Sequence, residues 1–277
     1  MRQTAVMRIR YATDPGSPAT PNEDFAATAL PASGAGGAVV LLDGVTPPQG
    51  PSGCLHDVPW FTSRLGGELL GFSVSHPDVP LAGCLAEAIG RTAATHRPGC
   101  DLSHPRTPQA TVAAARWGDA GLEYLVLSDA VLLLEEPGGG VRAVLDDRLD
   151  AVRARARRLP SGPQRAAFIE EARNTEGGFF TAAADPAVAG RAVTGTVHPG
   201  GVRRLAALSD GATRWTEVFG FGGWRRLFAL LAGEGPEALI GQVRAAERSD
   251  PGGTAFPRGK IHDDATALVA ELRAAGP

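Results

Sequence analysis

Ala38-Val39-Val40-Leu41-Leu42-Asp43-Gly44-Val45-Thr46-Pro47-Pro48 is the stretch from which the fold can be read. Five apolar residues in succession, with β-branched members, describe a strand buried on both faces. The run ends at an aspartate and a glycine, and the proline pair stops it from continuing as sheet or helix. A carboxylate at the end of a buried strand costs several kcal/mol, roughly, unless something compensates its charge. A turn whose amides bond the side chain is one solution; a cation is the other.

The same signature recurs along the chain. An alternating segment, Ala5 to Tyr11, reads as an early strand, followed by a turn at Asp14-Pro15-Gly16-Ser17-Pro18. Glu23 and Asp24 then precede a short strand, Ala26 to Leu30, and Gly34 to Gly37 forms a loop before the quoted strand. These two strands, consecutive in sequence, are expected to pair. Leu65, Leu69 and Leu70 after Trp60-Phe61, and then Leu81, Leu85, Ala88 and Ile89, have helical spacing, the second helix stopping near His96-Arg97-Pro98-Gly99. Ala110 to Trp117, Leu122 to Leu127, Val131 to Leu134 and Val141 to Leu145 are strands with hairpin-type separators, interrupted by Ser128-Asp129. Two helices, Asp146 to Leu159 and Pro163 to Ala172, and two strands, Gly177 to Thr181 and Arg191 to Val197, follow. Arg203 to Gly211 repeats the pattern of apolar run, aspartate and glycine; a helix, Glu234 to Arg248, separates it from Asp263-Asp264 and a closing strand.

Composition narrows the function. A chain of 277 residues with formal charge −3 lacks an overall basic nucleic-acid footprint, and no apolar run approaches the ~20 residues of a membrane span. No linker divides it, so residues 1–277 are expected to form one domain. The basic cluster from Arg153 to Arg158 reads as a solvated helix face. Three widely spaced cysteines, Cys54, Cys84 and Cys100, compose neither a disulfide framework nor a zinc signature. The N-terminus has no signal-peptide core, and the expected compartment is the cytoplasm.

Four strand edges therefore carry carboxylates: Glu23/Asp24, Asp43, Asp210 and Asp263/Asp264. If the strands are neighbours, their acids converge, and like charges in one place raise each other's pKa until a cation intervenes. Oxygen ligands alone favour Mg²⁺ or Mn²⁺ over zinc, and a pair of such ions suits phosphate-ester hydrolysis.

In order, Asn22-Glu23-Asp24, Val40-Leu41-Leu42-Asp43-Gly44, Leu127-Ser128-Asp129, Ala207-Leu208-Ser209-Asp210-Gly211 and Asp263-Asp264-Ala265-Thr266-Ala267-Leu268-Val269 resemble the motifs of the metal-dependent, type 2C (PPM-type) protein phosphatases. The resemblance runs from about residue 5 to the end. It implies an α+β fold, a four-layer αββα sandwich of two mainly antiparallel sheets flanked by helices. It further implies a dinuclear Mn²⁺ or Mg²⁺ centre that activates water to hydrolyse phosphoserine or phosphothreonine; the abundance of Ala, Gly, Pro and Arg with few Lys suggests a bacterial source, and a monomer is expected. Carried onto this chain, Asp43 bridges the two ions, the Gly44 carbonyl binds one, and Asp210 and Asp263 complete the other's shell. Glu23 and Asp24 hold the water around the ions, Asp129 matches the acid of a third, weaker ion, and Asp264 stands where the family has Asn.

The departures bear on substrate. Ala19 occupies the position of the family's phosphate-binding Arg, and Val45-Thr46-Pro47-Pro48 replaces its usual turn. Lys260 and His262 are the candidates to bind phosphate instead, and His56 the candidate acid for the leaving group. A phosphorylated protein or a small phosphate ester are both expected substrates; a non-catalytic regulator that keeps the fold is the third alternative.

Overall fold

The computed structural model describes residues 8–31, 36–48 and 50–272. Strands β1 (Ile9–Asp14), β2 (Phe25–Ala29) and β3 (Gly37–Gly44) lead to helices α1 (Val58–Ser75) and α2 (Leu81–His96). Four strands follow: β4 (Ala110–Gly118), β5 (Gly121–Leu127), β6 (Val131–Glu135) and β7 (Val141–Val144). Helices α3 (Arg148–Ala156) and α4 (Gly162–Glu171) precede β8 (Val193–Val197) and β9 (Arg204–Leu208). The chain closes with α5 (Asp210–Glu217), α6 (Trp224–Gly233), α7 (Pro236–Ser249) and β10 (Ala265–Glu271).

The strands form two five-stranded sheets, ordered β1-β10-β9-β6-β7 and β2-β3-β4-β5-β8, and every pairing is antiparallel. The period of two along β3 explains why its apolar run is unbroken. Val40 and Leu42 face α1 and α2 with Phe61, Leu65, Leu85 and Ile89; Val39 and Leu41 face the other sheet with Leu132, Ala207 and Leu268. The outer face of that second sheet, through Leu133, Ala206 and Leu208, packs on Trp215, Leu227, Leu239 and Val243 of α5, α6 and α7. Each of these large side chains contributes about 1.5–3 kcal/mol on burial, and the result is the expected αββα sandwich. Helix α1 shows how local chemistry fits the plan: Asp57 caps it by accepting the Trp60 N–H at 2.9 Å, and Phe61, Leu65 and Leu69 recur on its buried face. Among the described residues no helix is long and apolar enough to cross a membrane.

Several boundaries differ from the sequence reading. The first strand lies at Ile9–Asp14; Ala5 to Met7, and Gly34 and Ala35 of the Gly34 to Gly37 loop, fall outside the described residues, and Gly37 already belongs to β3. Gly177 to Thr181 is not a strand. Asn174, in the left-handed region at φ 53°, turns the chain so that Phe179 and Ala182 make only isolated bridges. The Asp210-Gly211 pair, alike in sequence to Asp43-Gly44, opens a helix instead of a turn. Gly211 is what permits it: a Cβ there would lie 2.0 Å from the Asp264 carbonyl oxygen. Gly44 is hemmed in likewise, its notional Cβ 2.4 Å from Val58 Cγ1 and 2.6 Å from the Glu23 carbonyl oxygen.

Because the neighbour at Gly211 is backbone of β10's lead-in, which cannot swing aside, Gly211→Ala is expected to cost about 1–3 kcal/mol by overpacking. Thermal denaturation checks this: a melting temperature equal to that of the parent chain would show that α5 and the Asp263-Asp264 turn do not approach as closely as described.

Candidate metal centre

The register of the β2-β3-β4-β5-β8 sheet builds the site. Phe25 pairs with Leu42, so one further step places Asp24 opposite Asp43 at the sheet's edge. β3 then meets the other sheet where β9 ends and α5 begins. There the Asp210 N–H, one of the unsatisfied donors of the first helical turn, donates to Asp43 Oδ2 at 3.0 Å. Asp264 ties the third element in: its carboxylate accepts the Gly16 N–H at 2.8 Å and the Glu23 N–H at 2.7 Å. Thus the acids expected from separate strand edges are gathered at one edge of the sandwich.

Their mutual presence is costly. Burial, reinforced by Asp210 and Asp24, pushes the Asp43 carboxyl well above its ordinary value. Burial with the Asp129 and Asp263 charges pushes Asp210 up to about 7, against the pull of Arg214 and Arg153. Burial likewise pushes Asp24 up to about 7. Both Asp24 carboxylate oxygens are buried without a hydrogen-bond partner. The Thr266 and Ser209 hydroxyls pull its pKa the other way; Thr266 Oγ1 also pairs with Thr13 Oγ1, and Ser209 Oγ accepts the Thr266 N–H. Glu23 is raised by burial too, and the Thr46 hydroxyl donates to it.

Three cations face this cluster. Lys260 donates to Asp263 Oδ1 at 2.7 Å and to Thr46 Oγ1 at 2.9 Å; burial opposes its charge, but Asp263 keeps its pKa above the usual lysine value. Arg153 donates to Asp129 Oδ2 at 2.9 Å. Arg214, almost fully buried, reaches Asp263 Oδ2 at 3.1 Å and Glu247 Oε1 at 2.7 Å. The expectation that Arg153 lies on a solvated helix face is therefore corrected: α3 turns this one arginine of the cluster onto Asp129.

The other expected residues divide. Lys260 stands beside the acids. His262 does not: its Nδ1 meets Glu247 Oε2 at 2.9 Å, in a buried network with Arg214 and Arg244. His56 stacks on Trp60 and turns Nδ1 to Cys100 Sγ at 3.4 Å, with none of the acidic cluster among its bonded partners. Thr46, Arg153 and Arg214 are contributions that sequence reading did not assign; Thr46 lies in the substituted turn, the one signal available for it.

The donor set is oxygen only, buried, and left with orphaned lone pairs on Asp24, which fits hard divalent cations. Among the described residues no three of these carboxylates bring oxygens within 4.8 Å of one another, and both Asp263 oxygens are engaged, by Lys260 and by Arg214.

No family model matches the sequence, and no curated protein is significantly similar to it. Solved structures do match. The serine/threonine phosphatase Stp1 from Staphylococcus aureus superposes with TM-score 0.58 at 13% identity, covering 99% of this chain and 98% of its own. PstP/Ppp from Mycobacterium tuberculosis matches with TM-score 0.55 at 16% identity over 97% of this chain and 100% of its own. The PPM Ser-Thr phosphatase MsPP from Mycobacterium smegmatis, solved in complex with cacodylate, gives 0.55 at 17% over 98% and 100%. At these identities the likeness is one of fold.

The raised pKa values fix a sign for pH dependence. Asp24 and Asp210 ionise near pH 4 when unfolded and near 7 when folded, so between those values the folded chain binds more protons. Stability of the metal-free protein therefore falls as pH rises through this window. Melting curves in chelator from pH 5 to 8 are expected to show that decline. Asp24→Asn, which removes one buried charge, is expected to flatten it and to raise the melting temperature at pH 8 by about 2–4 °C per kcal/mol recovered. A curve that rises with pH would contradict the burial described.

Proposed function

We propose that the chain is a metal-dependent phosphomonoester hydrolase acting on phosphoserine and phosphothreonine in proteins. The observation that carries the reading is the meeting of Asp43, Asp24 and Asp210 at one edge, with Asp24's oxygens unpartnered, in a fold shared with bacterial serine/threonine phosphatases.

Asp43, Asp24, Asp210, Asp263, Glu23 and the Gly44 carbonyl would hold two Mn²⁺ or Mg²⁺ ions, with Asp129 at a third, weaker position. When bound, the ions supply polarisation of the phosphoryl oxygens and activation of water. The rest belongs to side chains. Lys260, with its ammonium between Asp263 and Thr46, is assigned the phosphate-binding role for which the chain has Ala19 in place of an arginine. Arg153, bonded to Asp129, keeps a second positive charge beside the acids. Thr46 orients Glu23 through its hydroxyl. His262 and His56 bond other partners, and neither is needed for this assignment. The free thiols fit a reducing cytoplasm, and we read the active species as the monomer.

A second reading has its own observation. Asp263 is satisfied by Lys260 and Arg214 without a metal, as suits a regulator that has kept the fold.

Hydrolysis of p-nitrophenyl phosphate and of a phosphothreonine peptide, with Mn²⁺ and in chelator, separates the readings. The expected result is metal-dependent turnover of both, lost by at least about 10²-fold in Asp43→Asn. Turnover of the small ester alone assigns a small-molecule phosphatase. Turnover of neither, with no Mn²⁺ bound by calorimetry, assigns the regulator. Lys260→Met is expected to raise KM for the peptide more than it lowers kcat.

A further inference from the structure

Away from the acids, four residues of a different chemistry converge. Cys54 and His56 lie on the loop between β3 and α1, His96 is the last residue of α2, and Cys100 follows the short 3-10 helix Arg97–Gly99. Their ligand atoms all lie within 4.8 Å of one another. Cys54 Sγ is 3.3 Å from His96 Nδ1 and 3.7 Å from His56 Nδ1, and Cys100 Sγ is 3.4 Å from His56 Nδ1. A tetrahedral zinc site with Zn–S of ~2.3 Å and Zn–N of ~2.0–2.1 Å has ligand-to-ligand edges of roughly 3.3–3.8 Å. The observed separations fall on those edges.

The surroundings supply amide donors to the sulfurs, while burial and the neighbouring Cys100 push the Cys54 thiol up to about 11. The Leu55 N–H donates to Cys100 Sγ at 3.3 Å and the His56 N–H to Cys54 Sγ at 3.4 Å, the outer bonds that orient sulfur ligands and spread their charge. Trp60 stacks on the His56 ring at 3.7 Å and meets His96 edge-on at 5.2 Å, closing one side from water. His96 itself is fully buried. All three cysteines are free thiols.

We infer that Cys54, His56, His96 and Cys100 form a structural zinc site, independent of the carboxylate centre. Two thiolates and two imidazoles are the ligand set of closed zinc sites, which leave no position for substrate. The expectation that the cysteines carry no zinc signature is thereby corrected: the pattern is Cys54-x-His56 with His96-x₃-Cys100, invisible when cysteines are counted alone. The site fastens the loop leaving Asp43-Gly44 to the end of α2, reinforced by the Asp101 N–H donating to the Gly53 carbonyl at 2.7 Å. It thereby sets where α1 begins, and Val58, at that start, is the residue that presses on Gly44.

The test is elemental analysis of the full chain purified without added zinc and passed through a desalting column with Mg²⁺. About one zinc per chain is expected to remain. Cobalt in its place is expected to give intense tetrahedral bands and a sulfur-to-cobalt charge-transfer band, which a six-coordinate oxygen site cannot produce. Cys100→Ser is expected to lower zinc content to about a tenth or less, while Asp43→Asn, at the other centre, leaves it unchanged. The cobalt spectrum needs no variant, so poor folding of Cys100→Ser does not remove the test. Absence of zinc with a weak octahedral cobalt spectrum overturns the inference, as does a mass lighter by two hydrogen atoms under non-reducing conditions with a peptide map that joins Cys54 to Cys100, which would show a disulfide instead.

Discussion

Carboxylates that face one another across two sheets cannot all be charged in a dry edge, and the architecture follows from that constraint. Asp43 ends the most buried strand of one sheet, and the donor that meets it is the first amide of α5, which springs from the other. Asp264 carries the connection to a third segment by holding the Gly16 and Glu23 amides. The sandwich is thus joined at this edge by hydrogen bonds to acids whose own charges oppose the joining. Lys260, Arg153 and Arg214 offset part of that opposition, and the remainder is visible in the raised pKa values of Asp24, Asp43 and Asp210. Such strain is characteristic of a site kept for chemistry.

Much of this was legible in the sequence because it is written in strand ends. An apolar run buried on both faces, as in β3, must stop somewhere, and an aspartate at the stop stands out. The pairing of β2 with β3 followed from their adjacency, and it brought Asp24 to Asp43. What was not legible depends on partners far along the chain. Arg153 looked like one of several arginines alternating with alanine; only the packing of α3 singles it out for Asp129. Arg214 sits in α5, a helix hidden because Asp210-Gly211 mimics the Asp43-Gly44 turn. His56 lay near Asp43 in sequence but, on its loop, faces sulfur. The Cys/His cluster escaped because its halves are separated by two helices and each half alone is unremarkable.

The two centres differ in hardness and in what they hold still. The oxygen cluster lies where β3 ends; the sulfur and imidazole cluster lies beyond the next loop, where α1 begins. Between them run only Val45 to Gly53, and Thr46 in this span bonds Glu23 and accepts from Lys260. If the sulfur and imidazole cluster holds zinc as inferred, Thr46 lies between two fixed points, the sheet and that site. The substituted turn is therefore positioned, even though its prolines deny it regular structure.

Lys260 gives the acidic edge one property that its carboxylates lack. Its charge rides on a flexible four-carbon stem anchored in the loop after α7, so the counterion of Asp263 is covalently part of the protein. An ion arriving from solution competes with a tethered amine whose effective concentration is about millimolar or higher and does not fall on dilution. On the proposed function, cation uptake at this edge would be an exchange, in which the incoming ion releases the ammonium group that Asp263 holds. Metal occupancy and the freeing of an amine to bind phosphate would then be two sides of one displacement.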